Sequence, residues 1–390
     1  MAGLGSLHLF NVFEYKTTKY VVTKNKKVGL LYRMFQLIVM GYLVGWVFVT
    51  KKEYQAKDDT IESSVVVKVK GVASVNTTDS KLWGPEDYVM PKQGEDFLFI
   101  ITNYIETANQ KMDNCSENPL IPDAMCTKDE DCREGEAVRA GNGIKTGICL
   151  KTDEDSNGTC EITGWCPTEK SQEPDTATVM RQAENFTLYI RNFIRFSKYD
   201  FSKFNVNKTT KSKSYLRSCL YDEISEPYCP IFRLGDIVNK SGCSFQVTAH
   251  KGGSFAILIE WSCDLDKGDS KCNPRYSFLS LGCDAGYNNR FVRYNDAAGQ
   301  KQRTIFKAYG IHLNIIVFGT ARKFSIINTF IHIASVLTLM TAGSFLCDFI
   351  LLCMMKSRDF RDSKFEIKTM NDKESPKKKK TAIPRRKFSL

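Results

Sequence analysis

The chain has 390 residues, with 55 lysines and arginines against 44 aspartates and glutamates, and a formal net charge of +11 at pH 7. This length allows two or three domains. The positive charge is divided among the outer region, the short tails and the terminal basic run, and no aromatic-interleaved basic motif accompanies it, so no nucleic-acid partner is predicted. The sequence has no Walker loop, dinucleotide glycine fingerprint or nucleophile elbow, so no enzyme is predicted.

Residues 1–29 are predicted to be a short cytoplasmic arm, in which Thr17 is a candidate phosphorylation site or simply a solvated threonine. The apolar run at 30–50 is predicted to be a first transmembrane helix. A cleaved signal peptide is the alternative, but the run is long, begins late and lacks a small-residue cleavage site. Gly41 and Gly45 form a small-xxx-small pair, which allows another helix to approach closely.

Residues 51–323 are predicted to be a β-rich body outside the membrane. Near its start valines alternate with Lys68 and Lys70, which is the period of a strand and directs both lysines to one face. Two like charges side by side repel unless an anion lies between them, although a solvated strand face is the plainer interpretation. Further strands are predicted at 185–196, 256–261, 275–279 and 302–318.

Cysteines and glycosylation motifs assign this body to an oxidising compartment. Twelve of the fourteen cysteines lie between the two apolar runs, and six of them fall in 110–166, which is predicted to be a small disulfide-stapled subdomain. A zinc site is the alternative, but histidine is scarce and no Cys-x-x-Cys pair occurs, so no metal is predicted. The candidate N-glycosylation sites also lie between the runs and are Asn76, Asn114, Asn157, Asn185, Asn207 and Asn239.

The second apolar run, residues 324–355, is predicted to be a transmembrane helix with length to spare. Small or weakly polar side chains recur along it at steps of four, three and four and form one stripe, namely Ile331, Ser335, Thr338 and Ala342. Such a stripe is either a helix-packing face or a pore lining. Asp348 lies in the inner part of the run, where a carboxylate usually faces protein or water.

The charges that flank the two runs predict the topology. Lysines and arginines precede the first run and follow the second, so the positive-inside rule places both ends in the cytoplasm. The region between the runs must then face outside the cell or into a lumen, and a plasma-membrane protein with one large extracellular loop is expected. Residues 356–390 form the predicted cytoplasmic tail, whose basic end is expected to be disordered and either contacts acidic inner-leaflet lipids or only solvates the chain.

Ten segments are typical of one known family. They are KKVGLLYR, GYLVGWVF, SSVVVKVKGV, CEITGWCP, AENFTLYIRN, CPIFRLGD, CDLDKGDSKC, PRYSF, KAYGI and FLCDFILL. Over nearly its entire length the chain resembles the P2X class of ATP-gated purinergic receptor channels, and its two-span layout and cysteine order agree. The resemblance implies a homotrimer, or a heterotrimer with related subunits, in which the first span forms an outer ring and the second lines a cation pore.

The resemblance also implies a site for ATP, with or without Mg²⁺, between neighbouring subunits, and it implies no other cofactor. The residues expected at the triphosphate are Lys68, Lys70, Asn288, Arg290 and Lys307. Thr187 is expected to bind adenine, while Leu216 and Ile231 pack on the base and ribose. The pore is expected to be narrowest at Ile331, Ser335 and Thr338, with Asp348 at its inner acidic position.

The same resemblance implies five disulfides, Cys115–Cys166, Cys126–Cys149, Cys132–Cys160, Cys219–Cys229 and Cys263–Cys272. Cys243 and Cys283 remain as extras, which either pair with each other or stay free.

Departures from the family pattern, such as Asn289 in place of a phenylalanine, allow a silent or partner-dependent subunit. The competing class is a non-channel protein anchored twice in the membrane, such as an adhesion ectodomain.

Overall fold

A computed structural model describes residues 26–75, 81–91, 96–151, 157–170, 174, 179–206, 211–283, 285–297 and 299–354. Thr17, Asn76, Asn207 and the basic tail lie outside these residues. The chain divides into two compact units, one formed by Met1–Gln55 with Ser325–Leu390 and the other by Ala56–Phe324. The secondary structure below is given in chain order across both units.

The helices of the described residues are α1 (Lys26–Gly41), α2 (Pro85–Tyr88), α3 (Lys211–Ser218), α4 (Leu234–Lys240), α5 (Phe245–Lys251) and α6 (Ile326–Met354), and a π-helical segment, Tyr42–Thr50, continues α1. The strands are β1 (Gln55–Asp58), β2 (Ile61–Lys70), β3 (Ala73–Val75), β4 (Lys81–Trp83), β5 (Val89–Met90), β6 (Phe97–Ser116), β7 (Met125–Cys126), β8 (Gly143–Leu150), β9 (Gly158–Cys166), β10 (Thr187–Phe196), β11 (Phe201–Phe204), β12 (Ile231–Arg233), β13 (Gly253–Asp264), β14 (Pro274–Gly282), β15 (Asn288–Ala297) and β16 (Gln300–Phe324).

The first unit contains two helices that are long and apolar enough to cross a membrane, Lys26–Thr50 and Ile326–Leu351. The first already includes Lys26, four residues before the predicted start at 30, and the residues before Lys26 lie outside those that the structure describes. The second begins at Ile326 rather than at 324, because β16 continues as extended chain through Phe324.

The second unit is built mainly from two sheets. The larger, sheet A, has the strand order β14-β13-β16-β6-β9-β7, with β1 and β15 also on β16, β5 on β6 and β8 on β9. The smaller, sheet B, has β10 at its centre, with β2 along one edge and β11 and β12 along the other. β13 pairs in parallel with residues 311–322 of β16, whereas β15 pairs with residues 300–309 and so lies beside Lys307.

Alternation of apolar and polar residues explains why these strands bury one face. In β10, Leu188, Ile190 and Ile194 are fully buried, whereas Arg191 and Arg195 are exposed. Burying each such aliphatic side chain contributes about 1.5–3 kcal/mol, so the strand has one preferred orientation. The predicted strands are confirmed, and they correspond to β2, β10, β13, β14 and β16.

Disulfides connect all twelve cysteines of the second unit. The structure contains the five pairs that the resemblance implies, Cys115–Cys166, Cys126–Cys149, Cys132–Cys160, Cys219–Cys229 and Cys263–Cys272. It also contains a sixth, Cys243–Cys283, with the two Cα atoms 6.0 Å apart. The cysteines in 110–166 therefore staple β6, β7, β8 and β9, where few large apolar side chains are available to form a core.

Candidate ligand-binding site

Sheet B brings several of the predicted ligand residues onto one outward face. Thr187 lies directly between Lys70 of β2 and Arg233 of β12. Two residues further along, Tyr189 lies between Lys68 and Ile231. Because side chains alternate along a strand, these two rungs point to the same side, opposite the buried residues of β10.

Both lysines on this face are exposed. At about 3.3 Å per residue they lie roughly 7 Å apart along the strand, where two positive charges repel by about 0.6 kcal/mol in water. Among the described residues, no carboxylate lies within ion-pair distance of Lys68 or Lys70. The face is therefore a cationic surface that an anion with several oxygen atoms fits.

A packed group behind this face positions Lys70 and Thr187. The hydroxyl of the buried Tyr88 donates to the carbonyl of Gly71 at 2.9 Å, and its ring stacks on Phe186 at 4.4 Å. Burial raises the pKa of Tyr88, so the hydroxyl stays protonated and remains a donor. Gly71 has a φ of +149°, and a Cβ there would lie 2.2 Å from the ring of Phe186, so only glycine fits at this point.

Leu216 and Ile231 lie on segments that a disulfide joins. Leu216 is half-buried on α3, and Cys219, three residues later, is bonded to Cys229, two residues before Ile231. The backbone N–H of Tyr221 also donates to the carbonyl of Ile231 at 2.8 Å. These links fix the start of β12 against the end of α3, so apolar side chains flank the cationic face.

A second cationic group lies on sheet A. Arg290 of β15 is the direct cross-strand partner of Lys307 of β16, and Asn288 is the partner of Tyr309. Directly opposed residues share a face, so the three predicted residues of these strands point to the same side. The Lys307 ammonium lies 5.6 Å from the centroid of the Tyr309 ring, a cation–π distance.

Arg290 is held by a carboxylate that sequence reasoning did not identify. Its Nε donates to both oxygens of Glu169, at 3.0 and 2.9 Å. The side chain of Glu169 is 18% exposed and that of Arg290 is 53% exposed. Glu169 lies three residues after Cys166, in the CPTEK stretch. Its position close to a disulfide cysteine was the only feature of the sequence that could have indicated a role at the site.

The two cationic groups belong to different sheets of the same chain. No hydrogen bond or ion pair of the described residues joins Lys68 or Lys70 to Arg290 or Lys307. Tyr189 and Arg233 are further residues on the sheet B face that sequence reasoning missed. The period-two pattern from Thr187 would have identified Tyr189 from sequence. Arg233 could be identified only from the pairing of β10 with β12.

In the first unit, the predicted stripe of α6 is exposed along its length, from Ile331 to Ala342. The opposite face of α6 packs on α1, where a Cβ at Gly343 would lie 2.2 Å from the ring of Phe35. At about 100° per residue, the stripe is roughly 150° away from this packing face. The half-buried Asp348 is about 110° from the stripe.

The hydroxyls on α6 are bonded within the helix. Ser335 donates to the carbonyl of Ile331 at 2.8 Å, and Thr338 donates to that of Ser335 at 2.7 Å. Such bonds satisfy a hydroxyl where no water is present. The stripe is therefore the face of α6 that α1 leaves uncovered, and its polar atoms present oxygen lone pairs rather than unbonded donors.

The four described glycosylation candidates, Asn114, Asn157, Asn185 and Asn239, are all exposed. Asn185 also accepts hydrogen bonds from Arg233, at 3.0 Å from Nε and 2.7 Å from Nη2. Its amide oxygen is thereby fixed.

Together, a disulfide-stapled β body with an exposed cationic face and two membrane-length helices are the features of a membrane receptor. The profile of the family described as ATP P2X receptor matches residues 13–367. The chain is 50% identical over 366 residues to human P2X purinoceptor 5, covering 91% of this chain and 82% of that protein. It is 45% identical over 381 residues to mouse P2X purinoceptor 4, covering 94% and 96%.

Solved structures agree with these relatives. A P2X receptor from the Gulf Coast tick, crystallised with ATP and Zn²⁺, superposes with a TM-score of 0.71 at 35% identity, covering 82% of this chain and 99% of that one. The chicken ATP-gated P2X7 channel with the competitive antagonist TNP-ATP gives 0.72 at 33% identity, covering 85% and 100%. The chain belongs to the P2X receptor family of ion channels.

Proposed function

We propose that this chain is an extracellular ATP-gated, non-selective cation channel that opens when ATP binds between subunits of a homotrimer. The observation that carries the proposal is the pair of cationic groups on outward strand faces, Lys68 with Lys70 and Arg290 with Lys307. A triphosphate offers oxygens to both groups. In the proposed trimer, a subunit that contributes Lys70 and a neighbour that contributes Arg290 complete one site.

Thr187, Tyr189, Leu216 and Ile231 would form the base and ribose end of the site, next to the lysines of sheet B. Mg²⁺ would be held by the phosphates of ATP, and no side chain of this site is proposed as a metal ligand. The solved relatives support this choice of ligand, because one is described with ATP and the other with the competitive antagonist TNP-ATP.

Gating follows from a difference in affinity. ATP shifts the channel toward an open state only as far as it binds that state more tightly than the closed one. β16 carries Lys307 and continues to Phe324, and one residue, Ser325, separates it from α6. The chain thus runs directly from the phosphate end of the site into the candidate pore helix.

In the pore, three copies of the uncovered stripe of α6 would face one another. Rings of Ser335 and Thr338 suit hydrated cations, and the Ile331 ring can close by excluding water. Na⁺ and Ca²⁺ would enter and K⁺ would leave. Asp348, away from the stripe, would attract cations from the inner end.

The test of the ligand site is whole-cell recording with surface labelling of cells that express this chain alone. ATP is expected to open a cation current, and Lys70→Ala or Lys307→Ala is expected to abolish it while surface protein persists. Lys271→Ala, an exposed lysine in the Cys263–Cys272 loop, is the matched control and should respond as the wild type does. Normal ATP responses in Lys70→Ala or Lys307→Ala would defeat the site assignment.

A silent or partner-dependent subunit is the alternative that the sequence departures favour. In the structure, the Asn289 that replaces a phenylalanine accepts a hydrogen bond from the backbone N–H of Arg290 at 2.8 Å. This alternative would be established if the chain reached the cell surface but gave no ATP current alone, and if co-expression with a P2X4 relative restored the current.

The pore face has its own test. A cysteine at Ser335 should react with a charged thiol reagent only while ATP is present, and the reaction should block the current. Leu337→Cys, an exposed position roughly 130° from the stripe, is the matched control, and the unmodified chain controls for Cys347 and Cys353. Modification at Leu337 and not at Ser335 would place another face of α6 in the pore.

A further inference from the structure

The short helix α5 is fixed in the core of the second unit. Phe245, Thr248 and Ala249 are buried, and the hydroxyl of Thr102 in β6 donates to the carbonyl of Ala249 at 2.7 Å. The side-chain amide of Asn103 donates to the carbonyl of His250 at 3.3 Å. The C-terminal end of this helix is therefore fixed relative to β6, and the buried Phe245 anchors its first turn in the core.

The connection from β14 to β15 is attached to both ends of α5. Cys283, just after β14, is bonded to Cys243, two residues before α5 begins. Tyr287, just before β15, donates its backbone N–H to the carbonyl of Lys251, the last residue of α5, at 3.1 Å. We call these two attachments the double tether.

Further contacts hold Tyr287 at the second attachment. Its carbonyl accepts from the N–H of Gly310 at 3.2 Å, and its ring stacks on His312 with centroids 4.6 Å apart. Gly252, after α5, has a φ of +84°, and a Cβ there would lie 2.1 Å from the Tyr287 carbonyl oxygen. The backbone of Tyr287 is thus enclosed, and only a glycine allows so close an approach.

The double tether leads directly into the second cationic group. Asn288 follows Tyr287, and Arg290 is three residues from it. We propose that the Cys243–Cys283 bond, together with Tyr287, is a positioning element that holds the first residues of β15 in the geometry that binds the triphosphate. The inference rests on the proposed function for its ligand, and nothing in the family match or the relatives' names assigns it.

The physical reason is preorganisation. A segment that is free before binding must be ordered when the ligand arrives, and that cost weakens affinity. With the Cys243–Cys283 bond broken, the chain before Asn288 loses one of its two attachments. The expected effect is a rise of about three- to tenfold in the ATP concentration for half-maximal current.

The structure favours serine variants for the test. The hydroxyl oxygen of Ser280 lies 3.3 Å from the sulfur of Cys243 and 3.1 Å from that of Cys283. A serine at either position would therefore have a hydrogen-bond partner, which lowers the risk of a folding defect. Non-reducing peptide mapping of the wild type first checks that the two cysteines are linked.

The experiment compares Cys243→Ser, Cys283→Ser and the double variant by ATP concentration–response and surface labelling. All three should show the same shift, because each removes the same bond, and maximal current per surface receptor should stay at the wild-type level. Tyr287→Ala should shift the response likewise, whereas Tyr287→Phe, which keeps the ring and backbone contacts, should restore it.

Hydrogen–deuterium exchange of the purified full chain gives a readout that does not need a current. Peptides that cover 286–297 should exchange faster in the double variant than in the wild type. Three results would overturn the inference. The first is unchanged exchange in the double variant, and the second is an unchanged or lowered half-maximal ATP concentration in a channel that responds. The third is a shift in the double variant that is much larger than the shift in either single variant. If the wild type gives no ATP current but the double variant still exchanges faster, the positioning role is supported and only the proposed function is contradicted.

Discussion

The two cationic groups carry the same formal charge but differ in their resting state. Lys68 and Lys70 lie on sheet B with no carboxylate at ion-pair distance among the described residues. Arg290, beside Lys307 on sheet A, is occupied by Glu169. One group is open to an anion as it stands, whereas the other must exchange a partner from its own chain for a ligand oxygen.

Separating Arg290 from Glu169 costs little free energy because the Arg290 side chain is about half exposed to solvent. An ion pair with one member 53% exposed is screened by water and contributes about 0.2–1 kcal/mol. A phosphate group offers more negative charge and more acceptor oxygens than one carboxylate. Glu169 therefore orients Arg290 in the absence of ligand without competing strongly when a polyphosphate is present.

Beyond Lys70→Ala and Lys307→Ala, which should abolish the current, the largest effect is expected for Arg290→Ala. A hydrogen bond to a charged group contributes about 1.5–3 kcal/mol, so the half-maximal ATP concentration should rise roughly 10- to 100-fold. Arg195→Ala is the matched control, because Arg195 is a half-exposed strand arginine with its own carboxylate, Asp200, at 3.4 Å. Equal shifts in both variants would show that the effect is not specific to the ligand site.

An intermediate rise in the half-maximal ATP concentration is expected for Tyr189→Ala, next to Lys68 on sheet B. Stacking of a base on an aromatic ring contributes about 1–3 kcal/mol by alanine substitution, and partial exposure of Tyr189 places the expected shift near the lower end, about five- to tenfold. Tyr189→Phe keeps the ring and should respond like the wild type. A shift in the phenylalanine variant as large as that in the alanine variant would assign the effect to the hydroxyl instead.

The smallest effect is expected for Glu169→Gln, and its sign is opposite. Removal of the competing charge should lower the half-maximal ATP concentration by about two- to fivefold, as expected for a loss of up to about 1 kcal/mol. Glu169→Gln combined with Arg290→Ala should match Arg290→Ala alone, because the carboxylate acts through Arg290. A higher half-maximal concentration in Glu169→Gln would mean that orientation of Arg290 outweighs competition.

Local pattern was sufficient for the strands and for the direction of their side chains. The period-two alternation around Lys68 and Lys70 predicts β2 and its outward lysines, and both are confirmed by the burial along the strand. This works because the side-chain period of a strand is a property of the backbone. The same reasoning did not reach Glu169, since its contact with Arg290 joins residues 121 apart in sequence.

The sequence by itself determined the two membrane-length helices, the strand periods, the charge of the candidate site and the presence of an oxidised, cysteine-rich body. These follow from composition and local periodicity, which need no knowledge of neighbours in space. Only the tertiary structure decided which cysteine bonds to Cys243, which carboxylate holds Arg290 and which face of α6 is left uncovered by α1. Those three depend on contacts between residues far apart in the chain, and such contacts form only when the whole core selects one pairing of strands and helices.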